Sequence, residues 1–435
     1  MTRWTRWRPR FWAGEATSDS MFRGMVTLVF GSVLGRTLGL LTVPILTRLY
    51  TPEDYGILAI YTAIVQMMLP VMTLRYVVAI PLPRTDRVAL DVLTLSLLLL
   101  IAFAGVMTLG FALFGEALFG LLSAGVLVSW WGVVVLGIVT AGLSEILGGW
   151  VTRKRGYALL ASRGVLATAI GETLKVGLGL LGLRPFGLLL GQLASQSSGV
   201  VGFFTAYRAD FARIPTGFSW TRLWFVARYY ISYPTLRLPS QFLLIFAMQM
   251  PLLFTAGLYG ASVSGQMGLA LMTLALPVNL IGQSIGKAFY AEVAHIGRAR
   301  PAEIFVLTRK VQLRLLAIGA VPTVVLILFG PDLFAFAFGA QWEMAGAFAA
   351  MLAVYMLPQF TSSPLMQLLN VFNRQGSFLV INVIRTALLL VLFWSVRRFG
   401  LPVETYVRIY SWLMAVFYLV ITLYVTSLTR RGTAR

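Results

Sequence analysis

Residues 91–115 read DVLTLSLLLLIAFAGVMTLGFALFG and carry a single charged side chain, Asp91, at their first position. About 20 consecutive apolar residues are enough for an α-helix to cross the hydrocarbon core of a bilayer. Eleven further apolar runs of comparable length lie on either side of this one. The predicted spans are 22–47, 55–80, 91–115, 121–147, 158–182, 185–207, 223–249, 256–285, 306–330, 343–369, 377–396 and 403–427. The sequence therefore predicts an all-α polytopic membrane protein with about 12 transmembrane helices.

The composition excludes several classes of protein. Of the 435 residues, 58% are apolar and only 11% are charged, whereas soluble domains carry roughly 25% charged residues. This share is too small to cover the surface of a soluble enzyme of this length. The chain has no cysteine and one histidine, His295, which excludes disulfides, thiolate nucleophiles and cysteine-ligated metals. We therefore expect no catalytic residues, no metal and no cofactor.

The positive charges indicate the orientation of the chain. There are 35 Lys+Arg against 15 Asp+Glu, a formal net charge of +20, and such an excess can also mark a nucleic-acid-binding face. Here the cations are scattered between apolar runs, and cytoplasmic loops of membrane proteins are enriched in Lys and Arg. Twenty-two of them fall on the side of both termini, against four on the other side: Arg48, Arg184, Arg397 and Arg398. The bias predicts two cytoplasmic termini and no nucleic-acid partner.

A polar break near the middle of the chain predicts two halves. Residues 208–222 read RADFARIPTGFSWTR and are interpreted as a cytoplasmic linker. The sequence predicts five segments: a basic and aromatic tail (1–21), an N-terminal lobe of six helices (22–207), the linker (208–222), a C-terminal lobe of six helices (223–427) and a second tail (428–435). Because each half has an even number of spans, a repeat axis would run along the membrane normal. The two lobes are expected to surround a central cavity.

Tryptophans near the predicted span ends indicate aromatic belts at the two membrane surfaces. On the cytoplasmic side these residues are Trp150, Trp220 and Trp224, and on the outer side Trp342 and Trp394. We expect all five indoles to lie in the headgroup region.

Charged side chains within the spans are the candidates for function, because an ionised group near the bilayer centre costs roughly 2.5–3.5 kcal/mol even on insertion scales. Five arginines close to span ends can snorkel to the interface: Arg75, Arg163, Arg228, Arg314 and Arg408. Arg36, Arg237 and Arg385 lie deeper. Arg36 and Arg237 have no acidic neighbour on their own helical turn, and Arg237 lies between two prolines, which predicts a broken helix. A guanidinium binds phosphate oxygens in a bidentate manner, so these arginines predict a phosphate-bearing anionic substrate, or else structural pairing with another helix.

Three further charged residues are candidates for coupling to an ion. Glu172 and Lys175 are three residues apart on one predicted helix, a spacing that allows them to form a salt bridge or a coupling-ion site. Glu145 lies near an inner helix end, is expected to pair with Arg153, and is a weaker candidate for a proton site.

The segment TPEDYG at 51–56 opens the second span. Thr51 is typical of a helix N-cap, Pro52 of the first helical position, and Glu53 and Asp54 of an acidic first turn. Arg48 is also close enough in sequence to pair with either carboxylate. A second hypothesis assigns Glu53 and Asp54 to a glycosyltransferase or polymerase that uses polyprenyl-linked sugars. Such enzymes generally need a substantial external loop, and none is predicted here.

Four blocks of sequence resemble a known family of bacterial oligosaccharide flippases. They read GSVLGRTLGLLTVPILTRLYTPEDYG (31–56), LRYVVAIPLPRTDRVALDVL (74–93), RYYISYPTLRLPS (228–240) and QMPLLFTAGLYGASVSGQMGLALMTLALPVNLIGQSIGKAFYAEVAH (249–295). This family exports O-antigen and related polysaccharide units and belongs to the multidrug/oligosaccharidyl-lipid/polysaccharide exporter superfamily. After about residue 300 the resemblance is mainly one of hydropathy.

The resemblance implies a V-shaped pair of lobes around a basic cavity in the bacterial inner membrane. It implies a flippase that moves undecaprenyl-pyrophosphate-linked oligosaccharides, with a polysaccharide polymerase and a chain-length regulator as partners. Arg36 and Arg237 occupy matching places in the two halves, and Arg48 matches the family's arginine before the PEDYG-like turn. Drug exporters of the same superfamily typically use acidic cavity residues. A drug or metabolite exporter nevertheless stays open as a third hypothesis.

Overall fold

The computed structural model describes residues 18–212, 214, 219–278, 282–297, 300–372 and 374–431. Most of the two predicted tails and part of the predicted linker therefore lie outside the described residues. The first half contains six long helices: α1 (Ser18–Leu49), α2 (Pro52–Met72), α3 (Asp86–Leu121), α4 (Trp131–Arg153), α5 (Tyr157–Leu180) and α6 (Phe186–Ala206).

The second half also contains six long helices. Its long helices are α7 (Leu238–Tyr259), α8 (Ala261–Pro277), α9 (Pro301–Phe338), α10 (Glu343–Ser362), α11 (Gln375–Phe399) and α12 (Val403–Arg431). Nine helices of the described ranges are long and apolar enough to cross a membrane. The helices α5, α6 and α8 complete the two sets of six. The predicted all-α polytopic fold with two six-helix lobes is confirmed, whereas the exact domain boundaries stay predictions.

Several predicted spans differ from the observed helices, among them 121–147, whose long helix begins only at Trp131. The span predicted at 55–80 ends at Met72, because Leu74 and Arg75 adopt left-handed φ angles of 47° and 63° and a 3₁₀ turn follows at Tyr76–Ala79. The span predicted at 223–249 begins later. Its first part is a separate amphipathic helix, Trp220–Tyr229, which carries Arg222 and Arg228 and ends before a turn at Tyr230 and Ile231.

The N-terminus of α2 was predicted correctly from its residue types. The Thr51 side chain accepts a hydrogen bond from the Asp54 backbone N–H, and an Asp54 carboxylate oxygen accepts one from the Thr51 backbone N–H at 2.8 Å. This reciprocal pair is a capping box, which satisfies two backbone donors that the first helical turn leaves free. The Asp54 carboxylate is therefore engaged in holding α2 in place.

Within each lobe the helices approach closely at small residues. Gly31 of α1 faces Ala161 of α5, and Gly171 of α5 faces the Gly191 carbonyl of α6. Apolar side chains contact lipid tails as readily as they contact each other, so helix association in a membrane relies on such close packing. Two separate apolar clusters result, one formed mainly by α2–α6 and the other by α7–α12.

The two lobes meet at the end of the bundle opposite Ser18 and Arg431, in a region we call the distal junction, formed by Thr47, Gly56, Gly265, Gln341 and Trp342. Here α2 crosses α8 so closely that a methyl group at Gly56 would overlap the Ala261 carbonyl oxygen, and one at Gly265 would overlap that of Pro52. Among the described residues, hydrogen bonds between the halves occur only at this end of the bundle and around the helix Trp220–Tyr229.

Side-chain amides and an indole tie the distal junction together. The Trp342 indole N–H donates to the Thr47 carbonyl at 2.9 Å, and the Gln341 amide donates to the same oxygen at 2.6 Å. The Gln266 amide in turn donates to the Gln341 carbonyl at 2.6 Å. Each buried donor thus finds an acceptor, as burial in an apolar region requires.

The prediction of aromatic belts is consistent with the exposure of three of the five tryptophans, for which it stays a prediction. Trp220, Trp224 and Trp394 are exposed on the outside of the bundle. It is wrong for Trp150 and Trp342, which are fully buried. Their indole N–H groups bind protein acceptors instead of lipid headgroups, the Asp210 carboxylate at 3.2 Å and the Thr47 carbonyl.

Candidate functional site

Arg36 is an exposed cation within the first span. It lies 13 residues before the end of α1, so its backbone is about 20 Å from the distal end of that helix. A recess of about 210 Å³ between α1 and α5 borders it, lined in part by Ser32, Gly164 and Thr168. Among the described residues Arg36 has no hydrogen-bond or ion-pair partner. Its guanidinium is therefore available to a ligand that provides an anion.

Arg237 is the corresponding exposed cation at the start of α7. The predicted helix break between Pro234 and Pro239 is wrong, because the backbone continues through a π-helical turn at Tyr233–Arg237. In this turn the Leu238 N–H donates to the Tyr233 carbonyl, five residues back. The Arg237 guanidinium carbon lies 4.7 Å from the centre of the Tyr233 ring, a cation–π contact that leaves the N–H donors free.

The two arginines lie at different depths. Arg237 precedes the end of α7 by 22 residues, or about 33 Å along the helix. Compared with Arg36, it therefore lies about 13 Å closer to the face that carries Ser18 and Arg431. Arg36 and Arg237 are 201 residues apart in the chain, whereas the helix ends Leu49 and Tyr259 are 210 residues apart. Counted along their helices from the distal ends, the two arginines are therefore not at equivalent positions.

Arg385 is buried inside the second lobe. Only 9% of it is exposed, and its Nε atom has no hydrogen-bond partner. The guanidinium carbon lies 6.0 Å from the Tyr418 ring, and Tyr355 and Tyr410 complete an aromatic shell. This environment favours a cation through ring faces and hydroxyl dipoles.

Arg48 lies beside the distal junction. Its guanidinium donates to the Pro44 carbonyl at 3.1 Å and, across the two lobes, to the Phe336 carbonyl at 3.4 Å. It does not pair with Glu53 or Asp54. Nearby, burial raises the pKa of Tyr50 to about 12, so its hydroxyl stays protonated and donates to the Lys175 carbonyl at 2.7 Å.

Glu172 and Lys175 form the predicted salt bridge, with 2.8 Å between the Lys175 ammonium and a Glu172 oxygen. The second Glu172 oxygen accepts a hydrogen bond from the Thr42 hydroxyl of α1, also at 2.8 Å. Both oxygens are thus engaged, and the pair joins α1 to α5. This geometry is that of a satisfied internal ion pair.

The chain is similar to a family of known proteins. The family model described as polysaccharide biosynthesis protein matches residues 45–346, from the end of α1 to the start of α10. The chain belongs to the polysaccharide biosynthesis protein family. The family predicted from the sequence blocks is thereby confirmed, and a search of curated proteins finds no match.

Solved structures similar to this family member share its fold. A multidrug resistance MATE family transporter of the MOP superfamily in its inward-facing conformation has a TM-score of 0.63 at 15% identity, over 92% of this chain and 98% of the other. The outward-facing conformation of such a transporter scores 0.53 at 16% identity, over 95% of each chain. A MATE structure in complex with MaD3S scores 0.56 at 16% identity, over 95% of this chain and 97% of the other. This polysaccharide biosynthesis protein thus has a two-lobed transporter fold.

Glu145 of this family member has a different partner from the one predicted. Arg153 binds Asp86 at 2.9 Å and does not contact Glu145, because α4 places the two residues more than two turns apart. Glu145 instead pairs with Arg75 at 3.3 Å, from a backbone position with a left-handed φ. Such a conformation costs about 1–2 kcal/mol in a non-glycine residue. One Glu145 oxygen stays buried without a partner.

Several residues that shape this site were missed by sequence reasoning. Gln266, Gln341 and Trp342 carry no charge, and each would fit equally well in an ordinary span end. Gly56 and Gly265 are two of 41 glycines. Their common feature, contact between the lobes, depends on tertiary structure and leaves no periodic signal.

The Glu172–Lys175 pair allows a stability prediction. Replacing Lys175 with methionine leaves a buried carboxylate without its cation, which is expected to lower the free energy of unfolding by about 3–5 kcal/mol. The double variant Lys175→Met/Glu172→Gln should recover much of this loss. Thermal unfolding in detergent, followed by tryptophan fluorescence, measures both. Arg300→Gln, which breaks an exposed pair of the same spacing, is the control and should cost no more than about 1 kcal/mol. Equal melting temperatures for Lys175→Met and this control would contradict the account.

Proposed function

We propose that this protein is a flippase that moves undecaprenyl-pyrophosphate-linked oligosaccharide units across the bacterial inner membrane during surface polysaccharide synthesis, of O-antigen or exopolysaccharide. Two findings support the proposal, membership of the polysaccharide biosynthesis protein family and a two-lobed transporter fold. The observation that carries the choice of substrate is the pair of exposed arginines, Arg36 and Arg237, which have no hydrogen-bond or ion-pair partner among the described residues. An anionic lipid-linked substrate would neutralise the two cations, whose charge within a membrane span is otherwise costly.

In this mechanism the lobes separate on the face that carries Ser18 and Arg431 while the distal junction stays closed. The pyrophosphate first binds Arg237, near the mouth of the cleft. It then moves about 13 Å inward to Arg36, and the oligosaccharide follows into the hydrated space. The polyprenyl chain remains in lipid throughout, since its transfer into water is unfavourable. Opening of the distal junction and closure of the other face then release the headgroup on the far side.

Arg385 and Arg48 have supporting roles in this proposal. Arg385 adds positive potential from within the second lobe, because a buried charge is weakly screened by solvent. Arg48, beside the distal junction, would meet the pyrophosphate as it leaves and exchange its carbonyl acceptors for phosphate oxygens. Both are expected to influence release more than initial binding.

In this proposal Glu145 is the residue that would couple transport to an ion. Glu172 and Lys175 already satisfy each other, so they offer no free oxygen. Glu145 keeps one oxygen without a partner, and it lies beside an arginine held in a strained backbone conformation. A proton binding to Glu145 would weaken its pairing with Arg75 and release that strain.

The two alternative functions have less support. A polymerase built on Glu53 and Asp54 would need the Asp54 carboxylate, which is engaged in the capping box of α2. An exporter of cationic drugs would need acidic cavity residues, whereas Arg36 and Arg237, the exposed charged residues of the candidate site, are cations. A polysaccharide polymerase and a chain-length regulator would then be separate partner proteins.

A binding experiment tests this choice of substrate. Purified protein in detergent is mixed with undecaprenyl-pyrophosphate oligosaccharide, with undecaprenol, or with a cationic drug, and the melting temperature is measured. We expect stabilisation by the first ligand only. Stabilisation by the drug and not by the pyrophosphate would favour the exporter, and formation of a new glycosidic bond would favour the enzyme.

A further inference from the structure

The helix Trp220–Tyr229 is amphipathic and lies outside the bundle of twelve. Leu223 and Val226 are buried against the first lobe. The opposite side exposes four aromatic rings at roughly 70% each, from Trp220, Trp224, Phe225 and Tyr229. Exposed tryptophan and tyrosine are typical of the headgroup layer of a membrane, where an apolar ring with a polar edge is most stable.

Two contacts fix this helix to the first lobe. The Tyr76 hydroxyl donates to the Ala227 carbonyl at 2.9 Å. Arg222 forms an ion pair with Asp91 of α3 at 3.2 Å. The helix is therefore held at a defined position, on the face of the bundle where α3 begins.

A cavity of about 500 Å³ lies between this helix and the loop that precedes α3. Its walls include Pro83, Arg84 and Thr85 on one side and Phe225, Tyr229 and Tyr230 on the other. It combines apolar rings with a guanidinium and a hydroxyl, the groups that an amphipathic molecule with an anionic head requires.

The charges around the cavity are unbalanced. Each of the three carboxylates near it forms an ion pair with a protein cation. Asp86 pairs with Arg153 and Lys154, Asp91 pairs with Arg222, and Asp210 pairs with Lys154. Three exposed arginines have no ion-pair partner among the described residues: Arg84, Arg87 and Arg228. The cavity mouth thus has a net positive potential that is complementary to an anionic membrane surface.

We propose that this cavity is a binding site for one anionic phospholipid of the adjacent leaflet, with its phosphate at Arg84 and Thr85 and its acyl chains along the exposed rings. The bound lipid would fix the helix in the membrane surface. Since Tyr229 precedes the π-helical turn by only four residues, it would also fix the position of Arg237. The inference does not depend on the identity of the transported substrate.

The test measures lipid retention by the purified protein. Wild-type protein is prepared with phosphatidylglycerol or phosphatidylcholine, and bound lipid is counted by native mass spectrometry. We expect one retained phosphatidylglycerol, no retained phosphatidylcholine, and no displacement by inorganic phosphate at millimolar concentration. Arg84→Gln should weaken phosphatidylglycerol binding about tenfold, the effect of one charge-assisted contact.

Arg398→Gln removes another exposed arginine, at the opposite end of the bundle, and should leave lipid retention unchanged. If Arg84→Gln does not fold, Val88→Trp fills the cavity and keeps the charge, and it should also lose the lipid. Equal retention by wild type, Arg84→Gln and Val88→Trp would overturn the proposal. So would equal retention of phosphatidylcholine, or displacement by inorganic phosphate.

Discussion

Replacing both Arg36 and Arg237 with glutamine is expected to lower the rate of lipid-linked oligosaccharide flipping at least about 100-fold. Each charge-assisted hydrogen bond to a phosphate contributes about 1.5–3 kcal/mol, so the loss of two removes at least about 3 kcal/mol, which is a factor of about 100. Flipping is measured in reconstituted vesicles. The single variants should differ, with Arg237→Gln weakening substrate binding and Arg36→Gln slowing transfer.

The matched control is the double variant Arg314→Gln/Arg408→Gln. It removes two exposed arginines that lie near span ends, so net charge changes equally while flipping should stay close to wild type. Lysine at positions 36 and 237 should restore only part of the rate, because an ammonium does not bind phosphate in a bidentate manner. A wild-type rate in the glutamine double variant would remove these arginines from the substrate site.

Replacing Gly56 with valine is expected to separate the lobes at the distal junction and to stop alternating access. Any side chain at Gly56 would overlap the Ala261 carbonyl oxygen on α8, and two backbones cannot both retain their positions there. We expect the variant to be held open on the distal face, with flipping reduced at least tenfold.

The absence of cysteine makes this prediction easy to measure. Thr47→Cys places one thiol at a fully buried position of the distal junction. A membrane-impermeant maleimide should label it slowly in the otherwise wild-type protein and quickly with Gly56→Val. Gly105→Val is the control, since a side chain at Gly105 meets no atom within 4 Å. If Thr47→Cys/Gly56→Val is labelled as slowly as Thr47→Cys, the distal junction is not the contact that closes this face.

The helical framework could be predicted from the sequence because length and apolarity decide which segments enter a membrane. Residues 91–115 lie within α3, and Thr51 and Asp54 form the cap that their residue types indicate. The prediction of span boundaries was wrong around residue 223, where a surface helix, Trp220–Tyr229, precedes the span and is less apolar than α7. Two arginines within ten residues, Arg222 and Arg228, and a turn at Tyr230 and Ile231 separate the two.

Only the charged residues of the candidate site could be predicted from the sequence. Arg36 and Arg237 were identifiable because an unpaired cation in a span is costly wherever it points. The partner of Glu145 was not, since Arg75 reaches it from the turn that follows α2, where its backbone conformation is unusual. The distal junction depends on contacts between residues such as Thr47 and Trp342, almost 300 positions apart in the chain.

The most direct test of the central claim is the sidedness of the sugar in vesicles that contain the purified protein and undecaprenyl-pyrophosphate oligosaccharide in both leaflets. A membrane-impermeant enzyme that cleaves the glycan is added outside. We predict that wild-type protein makes the whole pool of glycan accessible, whereas protein-free vesicles and Arg36→Gln/Arg237→Gln expose the outer leaflet only. Accessibility in wild-type vesicles equal to that in protein-free vesicles would contradict the assignment as a flippase.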